Sequence, residues 1–203
     1  MWVIKIGGSL LGADELANWL KIIALYGDGK VIIVPGGGVF ADAVRSAQQI
    51  SKLSEKCAHE LAVKSMDQFA SVLVDIEPSL AKARNELELA ERGWQHRGIV
   101  WLPSQMVLAD TDIPNSWDVT SDSIAAWLAH RIHADKLILL KSARPKAESS
   151  LEELIEQEFV DKAFPLYLQD KTFDCWIVDK SQYIYFANGF NQVVLSEVGT
   201  LVR

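Results

Sequence analysis

The sequence has little cysteine. Cys57 and Cys175 are far apart in the 203 residues, and each sits among apolar neighbours. That excludes a disulfide-stapled scaffold and leaves two buried thiols as the expectation. No apolar run approaches the roughly 20 residues that a membrane helix needs. The start, Met1-Trp2-Val3-Ile4-Lys5, lacks the charged segment, apolar stretch and cleavage site of a signal peptide. A cytoplasmic protein with no membrane partner is expected. Basic residues are outnumbered, 20 Lys and Arg against 27 Asp and Glu, for a net charge of −7. Such a chain repels nucleic acid, although a local basic site still admits a small anionic metabolite. The phosphate-loop motif G-x-x-x-x-G-K-[ST] is missing, and no metal site held by the protein itself is expected. Repeats, low-complexity tracts and linkers are also missing, so residues 1–203 read as one domain.

What the sequence does contain is an alternation of short apolar runs and helical patterns. Trp2 to Ile6 and Val31 to Val34 read as buried strands, each followed at once by glycines and then by a helix pattern. Asp14 is a candidate N-cap for the first helix, and the second runs from about Phe40 to Leu53. Long helical stretches follow over about Lys56–Val72 and Leu80–Glu91. Ile99–Leu102 and Leu137–Leu140 are further strands, with a helix over about Ser121–Ile132 between them. Ser142–Ser150 reads as a loop and Leu151–Gln157 as a short helix. Cys175–Val178, Tyr183–Phe186, Gln192–Leu195 and Val198–Val202 read as strands. The pattern predicts an α/β fold with a mainly parallel sheet covered by helices.

Two glycine loops carry the chemistry. Gly7-Gly8-Ser9 and Gly36-Gly37-Gly38 each sit where a parallel strand meets a helix. Glycine lets backbone N–H groups approach an oxyanion closely, and the helix N-terminus adds partial positive charge. One such loop is explained equally well as a tight turn. Two at the carboxyl edge of one sheet point to two anionic groups held face to face. Gly36 to Ala41 also fits G-x-G-x-x-A, the dinucleotide fingerprint, but the next fifty residues are helix-patterned, where that fingerprint needs a strand ending in an acid.

Lys5 interrupts the first buried strand and Lys141 ends the fourth. Lysine is rarely buried without a partner, and phosphoryl transfer needs cations where charge gathers on the moving group. Snorkelling to the surface is the plain alternative. Asp122 falls in the first turn of the helix that Thr120 or Ser121 would cap. If the two lysines converge, a carboxylate between them would hold both. His59 is either a solvated helix residue or a donor to an acceptor phosphate. Arg45, two turns beyond the second loop, is expected to lie too deep to share its ligand. Asp110 and Asp112 are candidate acids for an amine.

In this order the motifs resemble the amino-acid-kinase superfamily, which includes carbamate, acetylglutamate, aspartate, uridylate and isopentenyl-phosphate kinases. The resemblance runs through Val3–Ser9, Val31–Gly38, Thr120–Ala126, Ala134–Leu140, Ala187-Asn188-Gly189 and Val198-Gly199-Thr200. It implies a three-layer α/β/α sandwich, with the acceptor over the N-terminal half and ATP over the C-terminal half. Lys5, Gly7, Gly8 and Ser9 would then hold the transferring phosphoryl group, with Lys141 as a second catalytic lysine. Asp122 would organise the two lysines. Gly36, Gly37, Gly38, His59 and Ser121 would face the acceptor, and Mg²⁺ would ride on the nucleotide phosphates. Members of the superfamily commonly form homo-oligomers. The resemblance weakens after Lys141, where Lys141-Ser142-Ala143-Arg144-Pro145 stands in place of the usual aspartate and glycine. The later glycine-rich segment with its lysine is not recognisable, which leaves Lys162 or Lys171 as substitutes. The compact size and Trp117–Ser123 look most like the small kinases of methanofuran biosynthesis, which convert an aminomethylfuran-methanol phosphate to the diphosphate. His59, Met66 and Asp67 fit the same group. An acyl-phosphate-forming kinase and a catalytically inactive anion-binding protein of the same fold are the alternatives.

Overall fold

Apolar runs too short for helices and flanked by glycine become parallel strands. A computed structural model describes residues 1–146, 149–169 and 171–202. In it β1 (Trp2–Ile6), β2 (Val31–Pro35), β3 (Ala81–Ala83), β4 (Gly98–Trp101), β5 (Lys136–Lys141), β6 (Asp174–Asp179) and β7 (Gly199–Val202) form one sheet. Its order is β3-β4-β2-β1-β5-β6-β7. All neighbours are parallel except β6 and β7, which are antiparallel. The helices are α1 (Asp14–Tyr26), α2 (Gly38–Ser51), α3 (Glu55–Ile76), α4 (Glu86–Gln95), α5 (Ser104–Val107), α6 (Ser121–Arg131), α7 (Leu151–Glu156) and α8 (Gln192–Val198).

Both faces of the sheet are covered, which is why the strands read as unbroken apolar runs. Side chains alternate between two core layers. Val3, Ile32, Val34, Leu137 and Leu139 pack with Ile124 and Leu128 of α6. Ile4, Ile6, Ile33, Ile138 and Leu140 pack with Trp19, Leu20 and Ile23 of α1. The same alternation puts Lys5 on the α6 face, between Val34 and Leu139 in the register. The architecture is thus α/β with helices on both sides of a mainly parallel sheet, as expected. Both cysteines are free thiols, and burial pushes that of Cys175 up to about 12.

The chain departs from expectation in four places. Asp14 is the first residue of α1, not its cap; Ala13 takes that position with no side-chain bond. Leu80–Glu91 holds a short edge strand, β3, before α4 begins behind the cap Asn85. Tyr183–Phe186 belongs to a 3₁₀ segment, Lys180–Asn188, capped by Asp179. Gln192–Leu195 is the start of α8, capped by the Asn191 side chain. Asn and Asp caps outweigh the β-branched and aromatic residues behind them. Ala147 and Glu148 of the expected Ser142–Ser150 loop lie outside the described residues.

Candidate active site

Because β1, β2 and β5 are parallel, their carboxyl ends share one edge, and the site lies there. Asp122, in the first turn of α6, is buried. Its Oδ1 lies 3.0 Å from Lys5 Nζ. Lys141 Nζ donates to both of its oxygens, at 2.8 and 3.0 Å. Burial alone would raise the Asp122 pKa, but the charges of Lys5 and Lys141 outweigh it and hold the carboxyl below its ordinary value. Lys141 is depressed by burial and by Lys5, against the pull of Asp122 and Asp161. Two lysines share one directly bonded carboxylate, and the charge of Asp161 acts on Lys141 from further away. A buried ion pair alone is poor evidence of a stabilising role, and buried, strongly perturbed charges in a crevice point to a functional site.

Asp161 was not singled out by the sequence. It follows α7 and turns back onto the start of α6. Its Oδ2 accepts from the Thr120 and Ser123 backbone N–H groups, both at 3.0 Å, and from Thr120 Oγ1 at 2.8 Å. Ser123 Oγ bonds its other oxygen. The expected caps, Thr120 or Ser121, are thus replaced by a carboxylate about forty residues away in sequence, and the Thr120 side chain makes no capping bond. Burial and the neighbouring Asp122 raise the Asp161 pKa, against the hydrogen bonds from Ser123 and Thr120. No local motif could have revealed this partner.

The two glycine loops touch. A Cβ on Gly8 would stand 2.1 Å from Gly38 Cα, so only glycine fits there. Gly38 itself has φ +54, in the left-handed region that glycine tolerates. Beside this contact opens a cavity of about 500 Å³, a size suited to a small molecule. Gly8, Ser9, Gly36, Gly37, Gly38, His59 and Ser121 line it, so the expected acceptor residues share one space with two of the expected phosphate residues; Gly7, beside Lys5 Nζ, does not line it.

Three further residues join them. Asp42 and Arg45 project from α2, and Trp117, from the loop before α6, lies against that helix. The Arg45 guanidinium lies over the Trp117 ring, 4.0 Å from its centroid. Trp117 Nε1 donates to Gln48 Oε1 at 2.7 Å. Arg45 is therefore on the cavity wall, not too deep to reach it, because i and i+3 positions of one helix share a face. That spacing was the available signal. His59 is buried, and burial depresses its pKa despite a hydrogen bond with the Ser116 backbone. It is not a solvated helix residue, and in the free protein burial disfavours its cationic form. Asp110 accepts from Trp127 Nε1 and lies 3.9 Å from Arg131, which removes it from the acceptor cavity.

After Lys141 the site is sparser. Ser142 Oγ lies 3.4 Å from Ser9 Oγ, next to the first glycine loop. Arg144 turns to β7, bonding Thr200 Oγ1 and the Gly199 carbonyl. Lys162 lies 3.7 Å from the Asp118 carboxylate, and Lys171 donates to the Val202 carbonyl. Among the described residues, no group of three or more His, Cys, Asp or Glu side chains is arranged to hold a metal ion.

Residues 1–144 match the model of the Amino acid kinase family. The chain belongs to that family. A curated relative, the [5-(aminomethyl)furan-3-yl]methyl phosphate kinase of Methanocaldococcus jannaschii, is 33% identical over 141 residues, 68% of this chain and 64% of the relative. The chain thus matches slightly under two thirds of that relative's length. Solved structures of the amino acid kinase fold superpose along the chain. The uridylate kinase of Archaeoglobus fulgidus has a TM-score of 0.71 at 20% identity, covering 100% of this chain and 99% of that one. The UMP kinase of Bacillus anthracis gives 0.67 at 14% identity, covering 100% and 98%. At these identities the likeness is one of fold.

Proposed function

We propose that this protein is an ATP-dependent kinase that transfers the γ-phosphoryl group of ATP to a small phosphate monoester, giving a diphosphate. The observation that carries the reading is the Lys5–Asp122–Lys141 cluster beside two glycine loops in direct contact. ATP lies over the C-terminal half, and the acceptor lies in the cavity over the N-terminal half. The bond between the γ-phosphorus and the β,γ-bridging oxygen breaks as an acceptor phosphate oxygen bonds the same phosphorus. Lys5 and the Gly7 and Gly8 N–H groups stabilise the charge spread over the moving group. Lys141 stands on the other side of Asp122, which keeps the two ammonium groups apart and aimed. The acceptor phosphate rests on Gly36, Gly37 and Gly38, at the N-terminus of α2. Its oxygen is already ionised, so no base is required.

Mg²⁺ would be held mainly by the nucleotide phosphates, where it neutralises charge. The residues present fit the ion only as carried on a nucleotide: the lysines and loop N–H groups would hold the phosphates, and among the described residues no group of three or more His, Cys, Asp or Glu is arranged to hold the ion itself. The relative's name suggests the finer assignment, [5-(aminomethyl)furan-3-yl]methyl phosphate as acceptor. The same reading makes residues 1–203 one catalytic domain, acting in the cytoplasm as a homo-oligomer.

The test is ATP turnover with Mg²⁺ across this phosphate, isopentenyl phosphate, uridylate, aspartate and acetylglutamate. Turnover with a phosphate ester and release of a diphosphate is expected. Turnover with amino acids alone would make it an acyl-phosphate-forming kinase. Tight nucleotide binding with no turnover on any acceptor would make it an inactive binding protein.

A further inference from the structure

The acceptor cavity has one acidic lining residue and one arginine. The acid is Asp42, one turn into α2, and the arginine is Arg45, nearly one turn beyond it. Asp42 enters none of the ion pairs among the described residues. Arg45 is the natural partner at i+3, but its guanidinium is laid on Trp117, and Gln48 fixes the far edge of that ring. In the free protein the unpaired carboxylate costs little, because Asp42 is exposed to water. A ligand filling the cavity changes that. The glycine end takes an anion, and a second negative charge facing the same ligand repels it unless the ligand answers with a positive one.

The position of Asp42 sets the spacing. Gly38 opens α2 and Asp42 lies four residues later, about 6 Å along the helix axis at 1.5 Å per residue. The lining also includes apolar side chains, among them Leu11, Val39, Met66, Val119 and Ile124. That space suits a body the size of one small ring, with unlike charges at its two ends.

We infer that Asp42 is the specificity-determining residue of this cavity: it receives an ammonium group on the acceptor, so the protein selects zwitterionic phosphomonoesters over those with no positive charge. The inference rests on the phosphomonoester reading above and narrows it. Asp110 and Asp112, the acids that the sequence offered for an amine, do not line this cavity; Asp42 does.

The test compares two ligands, [5-(aminomethyl)furan-3-yl]methyl phosphate and its isostere with ethyl in place of aminomethyl. Each is measured by calorimetric binding and by steady-state turnover, on the wild-type protein and on Asp42→Asn. Thermal unfolding confirms that the variant folds. A charged hydrogen bond of ordinary strength predicts about 10- to 100-fold tighter binding of the amine by the wild-type protein. Asp42→Asn should erase most of that preference by raising KM for the amine, with kcat changed much less. Asp42→Lys should reverse the preference. Equal losses for both ligands, or an unaltered preference in Asp42→Asn, would overturn the inference. Binding that keeps the amine preference in a protein that turns over no phosphate ester would instead overturn the kinase reading and leave the role of Asp42 standing.

Discussion

Asp122 serves two lysines with one carboxylate, and the protein's acid–base behaviour should follow from that. Replacing Lys5 with alanine removes one preorganised cation from the transferring group. It should lower kcat by about 100- to 1000-fold, the range for loss of one such contact. The backbone of β1 pairs on both sides regardless of the side chain, so thermal unfolding should show a folded protein. Near-normal turnover by Lys5→Ala would remove Lys5 from the phosphoryl site. Lys141 must be charged to act, and its pKa is depressed from 10.5 by burial and by Lys5. Its proton is lost as pH rises through that lowered value. The kcat/KM profile, which reports the free enzyme, should therefore turn down on the alkaline side at a lower pH than an ordinary lysine would set. A profile flat to pH 10.5 would contradict the role. Lys5, Lys141 and Asp122 were legible in the sequence because lysine inside an apolar strand calls for an explanation. Arg45 was misjudged because the sequence shows its distance along the helix but not the Trp117 face it lies on.

At the scale of elements, the start of α6 is held by a different part of the chain. Asp161 takes four hydrogen bonds from Thr120 and Ser123, on either side of Asp122. Ala163 N–H also donates to the Asp118 carbonyl. The segment after α7 therefore fixes the angle at which Asp122 meets the lysines. An asparagine there would set an NH₂ group or a single carbonyl against four donors. Asp161→Asn should lower kcat by about 10- to 100-fold, as supporting hydrogen bonds do around other active sites. It should also remove a negative charge that helps keep Lys141 protonated, so the alkaline limb should move further down in pH. A lower kcat with an unmoved limb would reduce Asp161 to a helix cap.

Apart from β3 and the one-turn α5, the strands and helices of the first 141 residues were readable because both sheet faces are buried and each run ends in glycine, proline or a polar loop. The final fifty residues were read less well. Tyr183–Phe186 and Gln192–Leu195 have strand-like residues, yet Asp179 and Asn191 cap helical turns there. A four-residue apolar run has no period to decide between the two, and the cap then decides. The cavity is built by the two glycine loops, α2, α3, the loop before α6 and the start of α6, and no sequence pattern spans them all.

For the whole molecule, the acid excess and the basic cluster are separate facts. The whole chain carries a net charge of −7, while the site keeps two lysines on one carboxylate under cover. A ligand that neutralises this cluster binds the folded state only, so Mg²⁺ with a non-hydrolysable ATP analogue should raise Tm. At a hundredfold excess over Kd the gain is about 2.7 kcal/mol, or roughly 5–10 °C for a chain of this size. Lys141→Ala should lose most of that shift, and a full shift in this variant would place the nucleotide elsewhere.

The contact between Gly8 and Gly38 has a consequence for reaction geometry. Two stretches of main chain, each ending a central strand, rest directly on one another with no side chain between them. Nothing at that contact can change rotamer. On the function proposed above, the gap between donor and acceptor is therefore set by a rigid gauge, as fixed as the spacing of β1 and β2 themselves. Gly8→Ala should force the gauge open. Overpacking of this kind costs about 1–3 kcal/mol of stability, and even a 1 Å misplacement of reacting groups can cost about 100-fold in rate. Turnover should thus fall far more than Tm, and tighter binding of either substrate alone should not restore it. A machine built this way tolerates variety in what it holds, but not in how far apart it holds it.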